Sequence, residues 1–131
     1  MTMGKGCIIS RSAKQKLSTK SSTEAELVAA DKISNILMCS KNFMECQGYT
    51  KEVILYQDSK ATRLLLENGK ASSGKRTRHL NIRYFYLHNL IKKKLMKTEY
   101  CSTLDMIADF FTKPLQANHF SQLRAIIMGH K

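Results

Sequence analysis

Three acidic residues of this 131-residue chain, Glu26, Asp58 and Asp109, have apolar neighbours that would bury them in part. A carboxylate held against a core is costly unless it is paired, protonated or bound to a metal. Its oxygens suit hard divalent ions such as Mg²⁺ or Mn²⁺. If the three residues converge, they could hold two such ions, the arrangement by which nucleases activate water and stabilise a leaving oxygen in phosphodiester hydrolysis.

Each of these residues also has a purely structural interpretation. Glu26 has capping-box spacing from Thr23, Asp58 could cap a following helix, and Asp109 could lie exposed on a short helix. Helical geometry separates Glu26 from Glu24. Glu26 shares its face with apolar residues four, seven and eleven positions later, whereas Glu24 lies on a mostly polar face. Glu26 is therefore the glutamate that we expect to point toward the sheet.

The positive charge of the chain is concentrated in one segment. Twenty-two Lys and Arg against ten Asp and Glu give a net charge of +12, and residues 70–97 contain nine of the cations and no anion. A solvated lysine-rich face is the simplest explanation of a charge run. The complete absence of acids in this segment favours a polyanionic partner such as nucleic acid.

The remaining composition is that of one globular domain covering residues 1–131. No apolar run is long enough to cross a bilayer, and no secretion signal is apparent, so a soluble, intracellular protein is expected. The four cysteines, at positions 7, 39, 46 and 101, form no CxxC pair. They predict free thiols with no disulfide partner and no zinc site.

The local patterns predict an α/β fold, in which helices flank a mixed sheet. A hairpin of strands 6–11 and 14–19 is expected first. A strand at 52–57, whose inner residues 53–56 form an apolar run, should be covered on both faces. The predicted helices are 23–47, 59–67, one starting at about residue 81 and 116–128; a strand at 98–102 and a helical turn capped by Asp105 complete the order.

Four segments in a fixed order carry a family resemblance. With Lys14–Lys16 ahead of them, Ser21–Glu26, Tyr56–Ala61, Arg76–Tyr84 and Ala108–Leu115 resemble the RNase H domain at the C-terminal end of copia-type retrotransposon Pol polyproteins. The resemblance implies an RNase H-like mixed sheet flanked by helices. It also implies Mg²⁺-dependent or Mn²⁺-dependent hydrolysis of RNA in an RNA–DNA hybrid, fusion to a reverse transcriptase, and a retroelement particle in the cytoplasm or nucleus.

The resemblance also assigns residues. The acidic set of the family falls on Glu26, Asp58 and Asp109, which become the expected catalytic residues and metal ligands for two ions. Phosphate contacts with the hybrid are expected from five residues of the basic segment, which would position the substrate without reading its sequence: Lys75, Arg76, Arg78, His79 and Arg83.

One part of the family pattern has no counterpart. Family members carry a further metal-binding aspartate on a first strand, and no acidic residue precedes Glu24 here. The chain is therefore expected to be an N-terminally truncated copy that lacks the first strand, with impaired activity. One alternative is a non-catalytic nucleic-acid-binding remnant that uses residues 70–97. A second is an unrelated basic α/β protein.

Overall fold

The structure, a computed structural model, describes residues 1–19, 21–68 and 78–130, with the side chains of residues 68 and 78–81 left out. Within these residues the α/β prediction is confirmed. The elements, in chain order, are β1 (Thr2–Met3), β2 (Gly6–Cys7), α1 (Ser22–Cys46), β3 (Ile54–Gln57), α2 (Lys60–Asn68), α3 (Arg78–Lys92), β4 (Lys97–Tyr100), a 3₁₀ helix (Ile107–Phe111) and α4 (Ala117–Met128). The strands form two two-stranded sheets, β1 with β2 and β3 with β4.

The chain forms two compact units. One consists of Met1–Lys16 with Cys101–Lys131, and the other of Leu17–Tyr100. We call them the terminal unit and the central unit. The single domain expected from the sequence stays a prediction.

Helix α1 of the central unit begins and ends where the sequence predicts it, within one residue. Ser21 is the N-cap, and its Oγ accepts the backbone N–H of Glu24 at 3.2 Å. This bond satisfies one of the donors that a helix start leaves open. Gly48 follows the helix with φ of +83°, a conformation that glycine adopts without a steric penalty. In the described part of the chain, no helix combines the length and hydropathy needed to span a membrane.

Strands β3 and β4 of the central unit pair in parallel, with Ile54 opposite Lys97 and Gln57 opposite Tyr100. The expectation that β3 is covered on both faces was wrong. Burial alternates along the strand, and the Tyr56 side chain is 51% exposed. A strand covered on one face shows this period of two.

The core of the central unit lies between α1, α2, α3 and the two strands. Its buried members are Leu27, Ala30, Leu55, Leu66, Tyr84, Leu87, Leu90 and Met96. On α3, Tyr84 and Leu87 are buried in this core, and Ile91 packs at its margin. Leu95 lies beyond the end of α3 at Lys92 and is 37% exposed.

The C-terminal end of α3 has an unusual residue in its turn. The Lys94 N–H donates to the Ile91 carbonyl at 2.9 Å, and the Leu95 N–H donates to the Leu90 carbonyl at 3.0 Å. These bonds close the helix as glycine-terminated helices are closed. Lys94 has φ of +57°, a left-handed conformation that is sterically unfavourable for a side chain with a Cβ.

The hairpin of the terminal unit lies earlier in the chain than predicted. It pairs Thr2 with Cys7 and Met3 with Gly6, and residues 8–19 contain no strand, so the expected strands at 6–11 and 14–19 were wrong. The turn includes Gly4, whose φ is +71°. Two-residue hairpin turns need positive φ, which the predicted turn at residues 12–13 has no glycine to supply.

The C-terminal part of the terminal unit also differs from the prediction in one detail. The 3₁₀ helix starts after Met106 without a side-chain cap, so the expected cap at Asp105 was wrong. Helix α4 follows one residue later than predicted. The rings of Phe110 and Phe120 stack at 5.0 Å and join the two helices.

Candidate active site

Glu26 lies in the second turn of α1 and is held by a residue of another helix. The buried hydroxyl of Thr62, in the first turn of α2, donates to Glu26 Oε2 at 2.6 Å. Glu26 itself is half-buried. The face that the sequence assigns to Glu26 is the face that packs inward, since Ala30 is buried, and Ile33 contacts the core.

Ser59 extends this contact toward the end of β3. Its Oγ accepts the backbone N–H of Thr62 at 3.2 Å, and the two hydroxyls lie 3.1 Å apart. A threonine hydroxyl has one proton to donate, which goes to Glu26. The Ser59 hydroxyl can therefore donate to Thr62, and the three side chains form one hydrogen-bonded chain.

Asp58 is the residue between β3 and this chain of contacts, and it is half-buried. The structural alternative made Asp58 the cap of α2, but that place belongs to Ser59, which accepts the Thr62 N–H. Asp58 thus lies at the carboxyl end of β3, next in sequence to Ser59. Helix α1 and strand β3 bring Glu26 and Asp58 to the same end of the central unit.

Asp109 belongs to the terminal unit, where it is 8% exposed. The alternative of an exposed Asp109 is therefore wrong. Its Oδ2 accepts from Lys113 Nζ at 2.7 Å, four residues later. A buried carboxylate needs such a partner to offset the loss of hydration. The convergence of Asp109 with Glu26 and Asp58 stays a prediction.

Among the described residues, no three His, Cys, Asp or Glu side chains of either unit are grouped as a metal ion would require. The joint ligation of a metal ion by Glu26 and Asp58 therefore stays a prediction, as does a third ligand.

Of the five residues predicted to contact phosphates, Arg83 is the one whose side chain lies in the described part of the structure. Arg83 Nη1 lies 3.1 Å from Asp31 Oδ2, and both side chains are partly buried. This ion pair lines a shallow groove between α1 and α3, together with Asn35, Ile82 and Tyr86. The remaining four predicted residues are not described: Lys75 and Arg76 lie outside the described residues, as do the side chains of Arg78 and His79.

Two functional contacts were missed from the sequence. Thr62 was not singled out, although Ser59 and Thr62 have the spacing of a helix-capping pair directly after a strand. Asp31 follows Glu24 by seven residues on the mostly polar face of α1, and nothing in the local sequence identifies Arg83 as its partner, 52 residues later.

Two plant retrotransposon proteins are similar to the chain. It is 29% identical over 130 residues, 98% of its length, to the retrovirus-related Pol polyprotein from transposon TNT 1-94 of Nicotiana tabacum. It is 29% identical over 118 residues, 88% of its length, to the retrovirus-related Pol polyprotein from transposon RE1 of Arabidopsis thaliana. The chain spans 10% and 8% of these two relatives. No family model and no solved structure matches it. Its homologues are thus retrotransposon Pol polyproteins of plants, of which it corresponds to a small part.

Proposed function

We propose that the chain is the ribonuclease H region of a copia-type retrotransposon Pol polyprotein, where it hydrolyses the RNA strand of an RNA–DNA hybrid. The observation that carries this proposal is the hydrogen-bonded chain that runs from Glu26 through Thr62 to Ser59, the residue that follows Asp58 at the end of β3. The similarity to Pol polyproteins supports the retroelement origin. In its element the region would be joined to a reverse transcriptase and act within the retroelement particle.

The two carboxylates of the central unit fit a hard divalent cation, because both donors are oxygens. Thr62 donates to one oxygen of Glu26 and leaves lone pairs on the other for a ligand. The hydroxyl thereby fixes the orientation of the carboxylate, as outer hydrogen bonds do at metal sites. Glu26 and Asp58 would hold Mg²⁺ or Mn²⁺, and Asp109 is proposed as the third ligand.

When bound, two divalent ions would activate water and stabilise the leaving oxygen of the cleaved phosphodiester. The protein residues would position the hybrid through cationic side chains, with Arg83 and the segment around Arg76 as the proposed phosphate contacts.

A second candidate function is nucleic-acid binding without catalysis. The pairing of Asp109 with Lys113 favours it, because this carboxylate is already neutralised by a cation of its own turn. The charge of +9 in residues 70–97 would serve binding in the same way with or without metal.

Hybrid cleavage separates the two functions. A labelled RNA–DNA hybrid is incubated with the parent chain in Mg²⁺ or Mn²⁺, beside Glu26→Gln and Asp58→Asn. Glu24→Gln is the matched control, since it removes a carboxylate from the same end of α1 and keeps an amide that can serve the cap. The proposal expects cleavage by the parent and the control and none by the other two variants. Equal cleavage by all four, or none by the parent, contradicts it.

Metal binding gives a readout that is independent of cleavage. Mn²⁺ titration followed by electron paramagnetic resonance should show binding to the parent that weakens at least tenfold in Asp58→Asn and remains in Glu24→Gln. Equal Mn²⁺ binding by the parent and Asp58→Asn would exclude Asp58 as a ligand. If the hybrid binds but neither Mn²⁺ binding nor cleavage is detected, the binding function is the one supported.

A further inference from the structure

A second cationic surface of the central unit lies away from Glu26 and Asp58. Strands β3 and β4 are parallel, so the chain enters both of them at the same end, opposite the end that carries Asp58. At that entry end, residues 50–53 and 94–97 face Lys41 of α1 across a groove of about 220 Å³. We call it the lysine groove.

The lysine groove is lined by four lysines and one glutamate: Lys41, Lys51, Lys94, Lys97 and Glu52. The lysines come from three separate parts of the sequence, which the fold brings together. They therefore differ from a lysine run along one exposed face. The apolar wall includes Val53 and the buried Met96. Charges of one sign over a low-dielectric wall raise the local potential and attract anions.

The ion pairs of the groove leave its charge in excess. Lys97 Nζ lies 2.6 Å from Glu52 Oε1, and Lys41 pairs with Glu45 on its own helix. Among the described residues, Lys51 and Lys94 have no acidic partner. Two lysine ammonium groups are thus left for an external anion.

Lys94 is a second indication of a role beyond the fold. Its φ of +57° belongs to a position where glycine is the favoured residue, so the backbone alone does not explain a lysine there. A side chain kept in an unfavourable conformation points to a function for that side chain. Here the function consistent with its surroundings is the binding of an anion.

We propose that the lysine groove binds the phosphate backbone of a nucleic acid strand, with Lys51 and Lys94 as the main phosphate contacts. This site needs neither a divalent ion nor the candidate acids. Backbone contacts of this kind are independent of base sequence and weaken as salt competes.

The test measures binding of a fluorescent RNA–DNA hybrid by anisotropy in EDTA, where no divalent ion is present. The groove variant combines Lys51→Ala with Lys94→Gly. The matched control combines Lys14→Ala with Lys16→Ala, which removes the same charge from exposed residues of the terminal unit. The groove variant should bind roughly tenfold more weakly, and its salt slope should fall by about 1.8 for two lost phosphate contacts. The control should match the parent.

Folding is monitored in the same variants. Lys94→Gly relieves the left-handed conformation, so its thermal unfolding midpoint should rise while hybrid binding falls. A simple loss of structure cannot produce that combination. The proposal is overturned if both double variants lose affinity equally, or if the groove variant binds as the parent does. A competition assay compares poly-glutamate with unlabelled RNA at equal concentrations of negative charge. If the two displace the labelled hybrid equally, the assignment of the groove to nucleic acid is overturned.

Because the assay contains no metal, its outcome is independent of the catalytic proposal. If the groove variant binds the hybrid as the parent does while the parent cleaves it, the groove proposal alone is wrong. If the groove variant binds more weakly but the parent does not cleave, the catalytic proposal alone is wrong.

Discussion

Replacing Thr62 by valine tests the contact that orients Glu26. The change keeps the shape of the side chain and removes the hydroxyl that donates to Glu26 Oε2 at 2.6 Å. A hydrogen bond to a charged group contributes about 1.5–3 kcal/mol to stability, and its loss leaves the carboxylate without that donor. Glu26 is half-buried, so the lower end applies. We expect the free energy of unfolding to fall by about 1.5 kcal/mol.

A second threonine provides the matched control. Thr98 Oγ1 donates to Glu67 Oε1 at 3.1 Å in an exposed contact, which is the same chemistry in water. Substitutions at such surface sites change stability by about 0.5 kcal/mol or less. Urea unfolding followed by far-ultraviolet circular dichroism should therefore show a clear loss for Thr62→Val and little change for Thr98→Val.

A double-mutant cycle isolates the contact itself. If Thr62 acts through Glu26, the losses of Thr62→Val and Glu26→Gln should not add, and the coupling free energy should be about 1 kcal/mol. Additive losses would mean that Thr62 stabilises the unit by packing alone. A Thr62→Val protein as stable as the parent would refute the proposed support of Glu26.

Three further predictions concern the central unit. Tyr84→Phe should raise the free energy of unfolding by about 1 kcal/mol, because the buried hydroxyl has no hydrogen-bond partner among the described residues. Burial also raises the pKa of Tyr84, so the unfolded chain loses the phenol proton at a lower pH than the folded chain does. The parent should therefore lose stability above about pH 10, which urea unfolding at pH 8 and pH 10.5 would show. Tyr84→Phe should lack this loss. Ser21→Ala should cost about 1 kcal/mol in urea unfolding, and an unchanged stability would refute its role as the cap of α1. A double-mutant cycle of Asp31→Asn with Arg83→Gln should give a coupling near 1 kcal/mol, since the pair is only partly shielded from water; no coupling would contradict the ion pair.

The sequence predicted the elements whose signals are local. Helix α1 was placed to within one residue because Ser21 and Gly48 mark its ends, and Glu26 was chosen over Glu24 from the period of the helix. The first hairpin was misplaced because the apolar run after Gly6 was taken as the strand itself. Positive φ at Gly4, a property of the turn, decides its actual position.

The contacts that define the candidate site are not local. Thr62 lies 36 residues from Glu26, so their meeting depends on how α2 packs against α1. A hydrophobic pattern indicates which face of a helix is buried, but not which polar group of another helix it meets. The burial of Asp109 was indicated by its apolar neighbours, and its partner Lys113 is within helical reach in the sequence.

The length of α1 has a consequence for the size of a bound nucleic acid. Glu26 and Lys41 both belong to α1 and are 15 residues apart, which at about 1.5 Å per residue separates them by about 22 Å along the helix. A strand advances about 3.4 Å per nucleotide, so touching both ends takes about seven nucleotides. Oligonucleotides shorter than this can occupy one end at a time, and longer ones gain affinity from the second attachment. If both proposed sites bind one strand, the helix sets a minimum length for tight binding, which a series of oligonucleotides can measure.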